Sequence, residues 1–308
     1  MGTPIFAVES LKKIHQSGYN ISAVICPIDK PAGRGQKLTS CEVKKYAQSQ
    51  NFKILQPKSL KDEEFIKNLK TINADIFVVV AFRMLPKEVW SIPKYGTFNI
   101  HGSLLPNYRG AAPINWAIIN GEHTTGVTSF FINESIDSGA IILKKKCSIG
   151  PKETAGDIHD KLMVLGSNLA VETCDAILNN KINPIPQKEH ENLYNAPKLY
   201  KNNCKIDWNK STIEIYNLIR GLSPYPSAWT NFTSPTNELK SIKIHQALYK
   251  IEFHNKNIGE IETNKKEMKI YTRDGFINIL QIQIPGKIKM HITSFLNGLN
   301  HKSYKKAL

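Results

Sequence analysis

The chain has 308 residues, of which 41% are hydrophobic, and carries a formal net charge of +15 at pH 7. This length exceeds one ordinary domain and predicts two, each with enough apolar surface for its own core. The longest apolar run, residues 76–82, is too short for a membrane helix and no signal-peptide pattern opens the chain, so a soluble, cytoplasmic protein is expected.

Strand and helix patterns alternate along residues 1–180. Strands are predicted at residues 21–26, 52–55, 75–81, 97–101, 126–132 and 140–147, and helices near residues 4–17, 42–50, 60–70, 87–92 and 113–120. This alternation, with a continuous apolar run at residues 76–81, predicts an open, doubly wound and mostly parallel sheet of Rossmann-like type, covered by helices. A longer helix follows, whose apolar stripe is Ile158, Leu162, Leu165 and Leu169.

A proline-rich stretch at residues 181–198 separates two predicted domains, residues 1–180 and residues 199–308. It has little periodicity, which is typical of a linker. After it, Ser211 and Glu214 form a capping-box pattern that predicts the start of a helix. Short alternating segments follow at residues 229–233, 241–249, 258–262, 268–273 and 276–284, with a hairpin signal at Asp274-Gly275. About five such strands predict a small barrel of the oligonucleotide-binding (OB) type.

Residues 98–110, FNIHGSLLPNYRG, are the most informative stretch of the chain. Asn99 and His101 lie two residues apart on a predicted strand, so their side chains are expected on the same side. Histidine titrates near neutral pH and an asparagine amide donates a hydrogen bond without titrating, a pairing that suits acyl transfer. In isolation the same pattern fits a structural histidine and a turn asparagine, and the pair alone leaves both interpretations open.

Cysteines and glycines bear on which cofactors are expected. The five cysteines are scattered and never form a Cys-x-x-Cys pair, and no histidine cluster occurs. These patterns argue against a disulfide framework and against a metal site, so neither is expected. No Gly-x-Gly-x-x-Gly follows a strand, and a dinucleotide cofactor is therefore not expected either.

The positive charge is uneven along the chain. Residues 1–198 carry 24 Lys and Arg against 18 Asp and Glu, whereas residues 199–308 carry 17 against 8. Clustered basic residues predict binding to a polyanion such as nucleic acid. A genome biased toward A and T would inflate Lys, Asn and Ile in the same way, and charge by itself does not decide between these explanations.

Several motifs occur together in one order: MGTPIFAVESL at the start, KPAGRGQKLT at 30–39, HGSLLPNYRGAAPINWAI at 101–118, TGVTSFF, SIDSGAIIL, KIDWNKSTIEIYNLIRGLSPYPSAW at 205–229, and PGKIKM near the end. Over nearly its whole length the chain thereby resembles the methionyl-tRNA formyltransferases, within the family that takes a formyl group from 10-formyltetrahydrofolate. HGSLLP and the downstream aspartate mark any folate-dependent formyltransferase. PAGRG and the C-terminal motifs are typical of the branch that acts on initiator tRNA.

The resemblance implies a set of site residues. Asn99 and His101 would stabilise the developing oxyanion, and Asp137 in SIDSG would orient His101 and help to remove the proton of the attacking amine. An isolated Asp-Ser-Gly would instead predict a turn. The residues expected to line the substrate entrance are Ser103, Leu104, Leu105, Pro106, Arg109 and Gly110, with the two leucines packing rather than taking part in catalysis.

The resemblance also implies a tRNA-binding surface. PAGRGQK corresponds to a loop that reaches into the acceptor end of tRNA, with Arg34 inserted and Lys30 and Lys37 near phosphates. In isolation, a glycine-flanked arginine favours a flexible surface turn. The C-terminal residues expected to bind tRNA are Lys205, Lys287 and Lys289, in an OB-like domain that the family shares.

Two features depart from the family pattern. Family members have a short apolar strand before the Met-Gly-Thr-Pro motif, whereas this sequence starts at the motif. The missing strand predicts a misassigned start codon. AFRMLP at residues 81–86 is one residue shorter than the usual Ala-Tyr-Gly pattern and carries Arg83 in place of a glycine. In the family this loop adjoins the folate pocket, so an altered folate affinity is expected.

The sequence therefore predicts a monomeric enzyme that formylates the α-amino group of methionyl initiator tRNA with 10-formyltetrahydrofolate, by direct attack of the amine and without a metal. One alternative is a formyltransferase for a small amine, such as glycinamide ribonucleotide or an amino sugar, and the basic second domain argues against it. Another is an RNA-binding relative that has lost catalysis. The presence of Asn99, His101 and Asp137 together argues against that reading.

Overall fold

A computed structural model describes residues 1–32, 35–188, 193–234, 237–298 and 304–308. The chain divides into two compact units, each made of separate stretches. The first unit comprises Met1–Gly110, Thr125–Ser148 and Asp160–Asn195, and the second comprises Ala111–Thr124, Ile149–His159 and Ala196–Leu308. Two stretches that precede residue 160 thus group with the C-terminal residues, which a purely sequential division of the chain does not anticipate.

Helix and strand alternate along the N-terminal part much as the sequence predicts. Helices α1 to α6 are Ile5–Gln16, Glu42–Ser49, Glu63–Ile72, Lys87–Trp90, Pro113–Ile119 and Ala155–Leu178, and strands β1 to β9 are Val24–Ile25, Lys30–Ala32, Lys37–Thr39, Ile54–Leu55, Phe77–Val79, Thr97–His101, Arg109–Gly110, Thr124–Phe131 and Ile141–Ser148. The predicted stripe of α6 is a core stripe, since Ile158, Leu162 and Leu169 are fully buried and Leu165 is half-buried.

Six strands of the first unit lie in two sheets, and β2 and β3 pair separately with each other. β1 and β4 pair in parallel, and β5, β6, β8 and β9 form a four-stranded sheet in that order, with β5 and β6 parallel and β6 and β8 antiparallel. Gly2 joins the sheets, because its N–H donates to the Ile25 carbonyl (3.1 Å) while the Val80 N–H donates to the Met1 carbonyl (3.0 Å). A cavity of about 270 Å³ lies next to Gly2 and is lined by residues of α1 and of both sheets.

The second unit is built on an antiparallel sheet. Strands β10 to β17 are Asn195–Ala196, Ala228–Thr233, Leu239–Ile251, Ile261–Thr263, Met268–Tyr271, Gly275–Gln283, Met290–His291 and Lys306–Ala307; helices α7 and α8 are Thr212–Gly221 and Ile292–Asn297, and a 3₁₀ turn spans Asn202–Cys204. The sheet runs β13-β14-β15-β12-β11-β17, with β16 on β15. Its ends meet where the Ala307 N–H donates to Gly259 (2.8 Å) and the Ile261 N–H donates to Lys305 (3.0 Å). The sheet is therefore a nearly closed barrel, as the OB-type prediction expects.

Helix α7 begins at the predicted capping box and is also tied to the hairpin between β14 and β15. The Ser211 N–H donates to Glu214 (3.1 Å), and the Glu214 N–H donates to Ser211 Oγ (3.4 Å). Asp274 Oδ1 accepts from both the N–H (2.8 Å) and the Oγ1 (2.7 Å) of Thr212. The turn that the sequence predicts at Asp274-Gly275 thus also satisfies donors at the start of a helix.

Asp274→Ala is expected to lower the free energy of unfolding by about 1 to 3 kcal/mol, because it leaves a helix N-terminal amide without its acceptor and leaves the buried Thr212 hydroxyl with Thr272 Oγ1 as its remaining partner. Urea unfolding followed by circular dichroism would measure the loss. Lys240→Ala, at an exposed position of β12, serves as the control. Equal changes in the two variants would contradict an anchoring role for Asp274.

No helix within the described ranges is long and apolar enough to cross a bilayer. All five cysteines are free thiols, and Cys26, Cys174 and Cys204 are buried. Burial raises the pKa of both Cys26 and Cys174 to about 12, which keeps these two thiols protonated at neutral pH. They pack as small apolar side chains, as the sequence predicts.

Candidate active site

Strand β6 carries Asn99 and His101 inside the four-stranded sheet. Its register sets Asn99 beside Phe130 and His101 beside Thr128 of β8. His101 is 7% exposed, and its ring meets Phe130 edge-on with the ring centroids 6.4 Å apart. The Asn99 side-chain oxygen is buried and has no hydrogen-bond partner among the described residues. A buried unpaired polar atom is costly, and a bound ligand is one way to satisfy it.

The two ring nitrogens of His101 have different neighbours. Nε2 lies 2.8 Å from the carbonyl oxygen of Tyr108, which can only accept, so Nε2 carries a proton. Nδ1 faces Asp137, with 3.7 Å between Nδ1 and Oδ2. In the neutral ring Nδ1 is therefore the nitrogen with the lone pair, and it becomes a donor only when the ring is protonated.

Asp137 lies in the connection between β8 and β9 with a left-handed backbone, at φ 50°. Its side chain is 13% exposed, and Oδ2 accepts from the Gly110 N–H at 2.9 Å. Gly139, two residues further along the chain, has no space for a side chain, since a Cβ there would lie 1.7 Å from the Phe131 carbonyl oxygen. Backbone geometry at this turn therefore sets the position of the Asp137 carboxylate next to His101.

Buried side chains hold the loop that follows β6 in place. Thr128 Oγ1 donates to the Ser103 carbonyl (2.7 Å) and accepts from the Leu105 N–H (3.1 Å). Ser103 Oγ donates to the Asn107 carbonyl (2.7 Å), and Leu105 packs with Phe130 and Ile141. Ser103 and Leu105 are fully buried, and their contacts support the loop from inside, as the expected packing of Leu105 implies.

Four other residues predicted at the entrance are half-buried: Leu104, Pro106, Arg109 and Gly110. Gly110 bonds to Asp137 as described above, and Arg109 donates to Gln187 Oε1 through Nε (3.1 Å) and one terminal nitrogen (2.8 Å). Gln187 lies in the stretch predicted as a linker, where no motif marks it. Its contacts in the folded chain, with Arg109 and with the turn that carries Asp137, are what identify it.

Lys144 is another residue that sequence patterns do not mark. Its Nζ on β9 donates to the Leu105 carbonyl, and loss of hydration on burial lowers the pKa of Lys144. The ammonium therefore reinforces the same loop that Thr128 holds. Because three consecutive lysines occupy residues 144–146, the sequence alone gives no reason to select this one.

The segment at residues 30–39 forms a hairpin, with Lys30 paired to Thr39 and Ala32 to Lys37. Lys30 and Lys37 are exposed, whereas Arg34, predicted to enter the tRNA acceptor end, lies outside the described residues. Asp29 closes the base of the hairpin. Its carboxylate accepts from Lys44 Nζ (2.7 Å), Ser40 Oγ (3.0 Å) and Gln56 Nε2 (3.1 Å), and the hydrogen bond from Lys44, followed by that from Gln56, lowers the pKa of Asp29.

The C-terminal lysines predicted to bind tRNA lie on the second unit. Lys205, Lys287 and Lys289 are all exposed. The Lys205 ammonium is 5.9 Å and that of Lys201 is 5.1 Å from the Trp229 ring centroid, and the Trp229 indole N–H donates to the Lys201 carbonyl (2.8 Å). Lys287 and Lys289 lie in the connection between β15 and β16.

Arg83, in the loop expected to depart from the family pattern, is exposed and bonded to a neighbouring loop. Its guanidinium donates to the Lys58 carbonyl (3.1 Å) and to the Pro57 carbonyl (2.6 Å) and lies 5.6 Å from the Phe82 ring centroid. Arg83 thus joins residues 81–86 to residues 57–58. Across the described ranges, no three His, Cys, Asp or Glu side chains group as a metal site.

Known proteins resemble this chain along nearly its full length. The family described as "Formyl transferase" matches residues 1–174, and "Formyl transferase, C-terminal domain" matches residues 198–300. The methionyl-tRNA formyltransferase of Flavobacterium johnsoniae is 53% identical over 97% of this chain and 95% of its own length. That of Bacteroides thetaiotaomicron is 47% identical over 97% of this chain and 94% of its own.

Solved structures agree with these relatives. WlaRD, a sugar 3N-formyl transferase crystallised with dTDP and 5-N-formyl-THF, matches with a TM-score of 0.66 and 26% identity over 93% of this chain and 97% of that one. The N-formyltransferase from Helicobacter canadensis, in complex with folinic acid and dTDP-3-aminofucose, matches with a TM-score of 0.64 and 25% identity over 92% and 97%. The two family models match residues 1–174 and 198–300, and the chain covers 95% and 94% of the two curated relatives. The chain therefore belongs to the formyl transferase family.

Proposed function

We propose that the protein transfers the formyl group of 10-formyltetrahydrofolate to the α-amino group of methionyl initiator tRNA. The observation that carries this proposal is the closeness of His101, on strand β6, to the carboxylate of Asp137. The same strand carries Asn99, whose buried amide oxygen has no partner among the described residues. Relatives named methionyl-tRNA formyltransferase, at 53% and 47% identity, support tRNA as the acceptor. A cytoplasmic, monomeric enzyme belongs to the same proposal.

The residues of the site fit a formyl-bearing co-substrate. The formyl group supplies an electrophilic carbon for the amine. As the new C–N bond forms, the bond from that carbon to N10 of the folate would break, and tetrahydrofolate would leave with the proton that the amine loses. The Asn99 amide, whose oxygen has no hydrogen-bond partner in the part of the chain that the structure describes, would turn a donor to the formyl oxygen as negative charge develops there. His101 protonated at Nδ1 would add a charged donor. Asp137 would stabilise that cation and help to remove the proton of the attacking amine.

Two basic surfaces would hold the tRNA. On the first unit, Lys30 and Lys37 lie on the paired strands β2 and β3, next to the Asp29 contacts, and Arg34 lies between them in the sequence. On the second unit, Lys205, Lys287 and Lys289 expose their ammonium groups to solvent. Phosphate contacts of this kind would position the acceptor end, and Arg34 would be the residue that reads bases.

Replacing Lys205, Lys287 and Lys289 together by Gln is expected to flatten the salt dependence of tRNA binding. Each lost phosphate contact reduces the magnitude of the slope of log affinity against log salt by about 0.7 to 0.9, so three contacts change it by roughly two or more. Fluorescence titration between about 50 and 200 mM salt covers the range in which such slopes are measured. This design keeps the second unit intact, whereas a truncation at residue 199 would strip residues 111–124 and 149–159 of their partners.

A matched control replaces three exposed lysines of the first unit, Lys53, Lys61 and Lys67, by Gln. The slope for this control should stay at the wild-type value. A slope that is unchanged in the triple variant of the second unit would mean that its lysine excess reflects genome composition and not tRNA binding.

The acceptor is tested by offering purified protein and 10-formyltetrahydrofolate either methionyl initiator tRNA or a nucleotide-linked amino sugar. The expected product is N-formylmethionyl-tRNA, detected by resistance of the esterified methionine to an aminopeptidase. The sugar acceptor is included because the two solved neighbours act on, or were crystallised with, sugar substrates. Formylation of the sugar alone would replace the proposal with the small-amine alternative, and tRNA binding without formyl transfer would favour an RNA-binding relative.

A further inference from the structure

Gln187 contacts both the turn that carries Asp137 and the end of the loop that follows β6. Its Nε2 donates to the carbonyl oxygens of Asp137 and Gly139, both at 2.9 Å. Its Oε1 accepts two hydrogen bonds from Arg109, at 3.1 and 2.8 Å. Both donors and both acceptor positions of the amide are therefore used, and the two carbonyls and the guanidinium fix which end of the amide faces which group.

The backbone near Gln187 is itself attached to the first unit. Ile185 and Ile141 exchange two backbone hydrogen bonds, of 2.8 Å from the Ile141 N–H and 2.9 Å from the Ile185 N–H. Gln187 follows this bridge by two residues, in a stretch whose sequence predicts only a linker. The bridge thus places an amide from a distant part of the chain over the turn at residues 137–139.

The groups that Gln187 holds are the ones that orient Asp137. Asp137 keeps a left-handed backbone, which for a residue with a side chain persists only where surrounding contacts enforce it. Its carboxylate bonds to the N–H of Gly110, the residue next to Arg109. One amide therefore holds the backbone of Asp137 and, through Arg109, the strand that donates to the Asp137 carboxylate.

We propose that Gln187 is a positioning residue that holds the Asp137 carboxylate toward His101. This inference rests on the proposed function, since it assigns Gln187 a part in the same site. Gln187 touches none of the reacting atoms and acts through Asp137 and Arg109. A misplacement of a catalytic group by about 1 Å can cost on the order of 100-fold in rate, so loss of this clamp has a measurable effect.

Gln187→Glu tests the two ends of the side-chain amide separately, because it changes the donor end and keeps the acceptor end. The carboxylate keeps an acceptor for Arg109 but replaces the donor that faced the carbonyls of Asp137 and Gly139 with a charged acceptor. This variant is expected to lower kcat for formyl transfer by about 10- to 100-fold while the KM values for folate and tRNA stay within about twofold. Gln187→Ala, which removes both ends, should show the same separation of kcat from KM. Asn183→Ala, an exposed amide in the same stretch, serves as the matched control.

A double-variant cycle tests whether Gln187 acts through Asp137. In an Asp137→Ala background, Gln187→Glu should cost no further activity, because the group that it positions is absent. The same fold loss in both backgrounds would overturn the inference. So would wild-type kcat in both Gln187 variants, or a parallel collapse of folding and of all kinetic constants.

Amide hydrogen exchange gives a readout that does not depend on the acceptor. The Gly110 amide, bonded to Asp137, should exchange at least about fivefold faster in Gln187→Glu than in wild type or Asn183→Ala. If wild type formylates neither tRNA nor sugar, the proposed function fails. Hydrogen exchange at Gly110 would still show whether Gln187 holds Asp137 in place. Unchanged exchange at Gly110 would overturn the positioning role whatever the protein formylates.

Discussion

Alanine at Asn99, His101 or Asp137 is expected to lower kcat for formyl transfer by about 100-fold or more, while tRNA affinity stays nearly intact. Removing one donor aimed at developing charge typically costs about 3 to 4 kcal/mol of transition-state stabilisation. Ground-state tRNA affinity would instead come from basic residues elsewhere on the chain. Single-turnover kinetics with saturating protein would separate the chemical step from tRNA binding.

The pairing of His101 with Asp137 adds a sharper expectation. Because Asp137 would act largely through His101, the double variant should lose little more than the more damaging single one. His123→Ala, at an exposed histidine, is the control and should retain wild-type rates. Wild-type rates for any two of the three alanine variants would refute this assignment of the site.

Gly139→Ala is expected to lower the free energy of unfolding by about 3 kcal/mol and to abolish most formyl transfer. The new Cβ would lie 1.7 Å from the Phe131 carbonyl oxygen and 2.8 Å from its carbon, so the turn would have to move. That movement would displace Asp137, two residues earlier, from its contact with Gly110. Urea unfolding and formyl-transfer rates measured on the same preparation would report both effects.

Gly298→Ala provides the matched control, because the nearest atom to its added Cβ is the Ser294 carbonyl oxygen at 3.5 Å, an ordinary contact. This change should alter stability by no more than about 1 kcal/mol. If Gly139→Ala proves as stable and as active as Gly298→Ala, the turn has more freedom than its close approach to Phe131 indicates.

Local patterns predict the elements that short-range physics determines. The strand with Asn99 and His101, the capping box at Ser211 and the hairpin at Asp274-Gly275 are all present, since strand alternation, helix capping and turn chemistry act over a few residues. The OB-like barrel is also present, although β16 and β17 were not predicted. Their short length, two residues each, leaves no periodicity to detect.

Features set by distant contacts could not be predicted in this way. The position of Asp137 beside His101 depends on the left-handed backbone of Asp137 and on the Gly110 N–H of strand β7. Gln187 reaches the site from a stretch without periodicity. The 30–39 segment was predicted as a loop, yet backbone pairing makes it a hairpin. Only the family resemblance pointed to Asp137, because an isolated Asp-Ser-Gly predicts nothing more than a turn.

The interleaved order of the two units has a consequence for biosynthesis. Residues 111–124 leave the ribosome long before residues 196–308, with which they pack, and the first unit likewise depends on residues 160–195. Strand β17 must also return to β11, where Ala307 pairs with Phe232. Long sequence separations of this kind slow folding and leave apolar surface exposed during synthesis. The first unit can be completed once residue 195 has emerged, but the second cannot be completed until the C-terminal strand is made. Residues 111–124 and 149–159 should therefore depend on chaperones for longer than they would in two domains arranged in series.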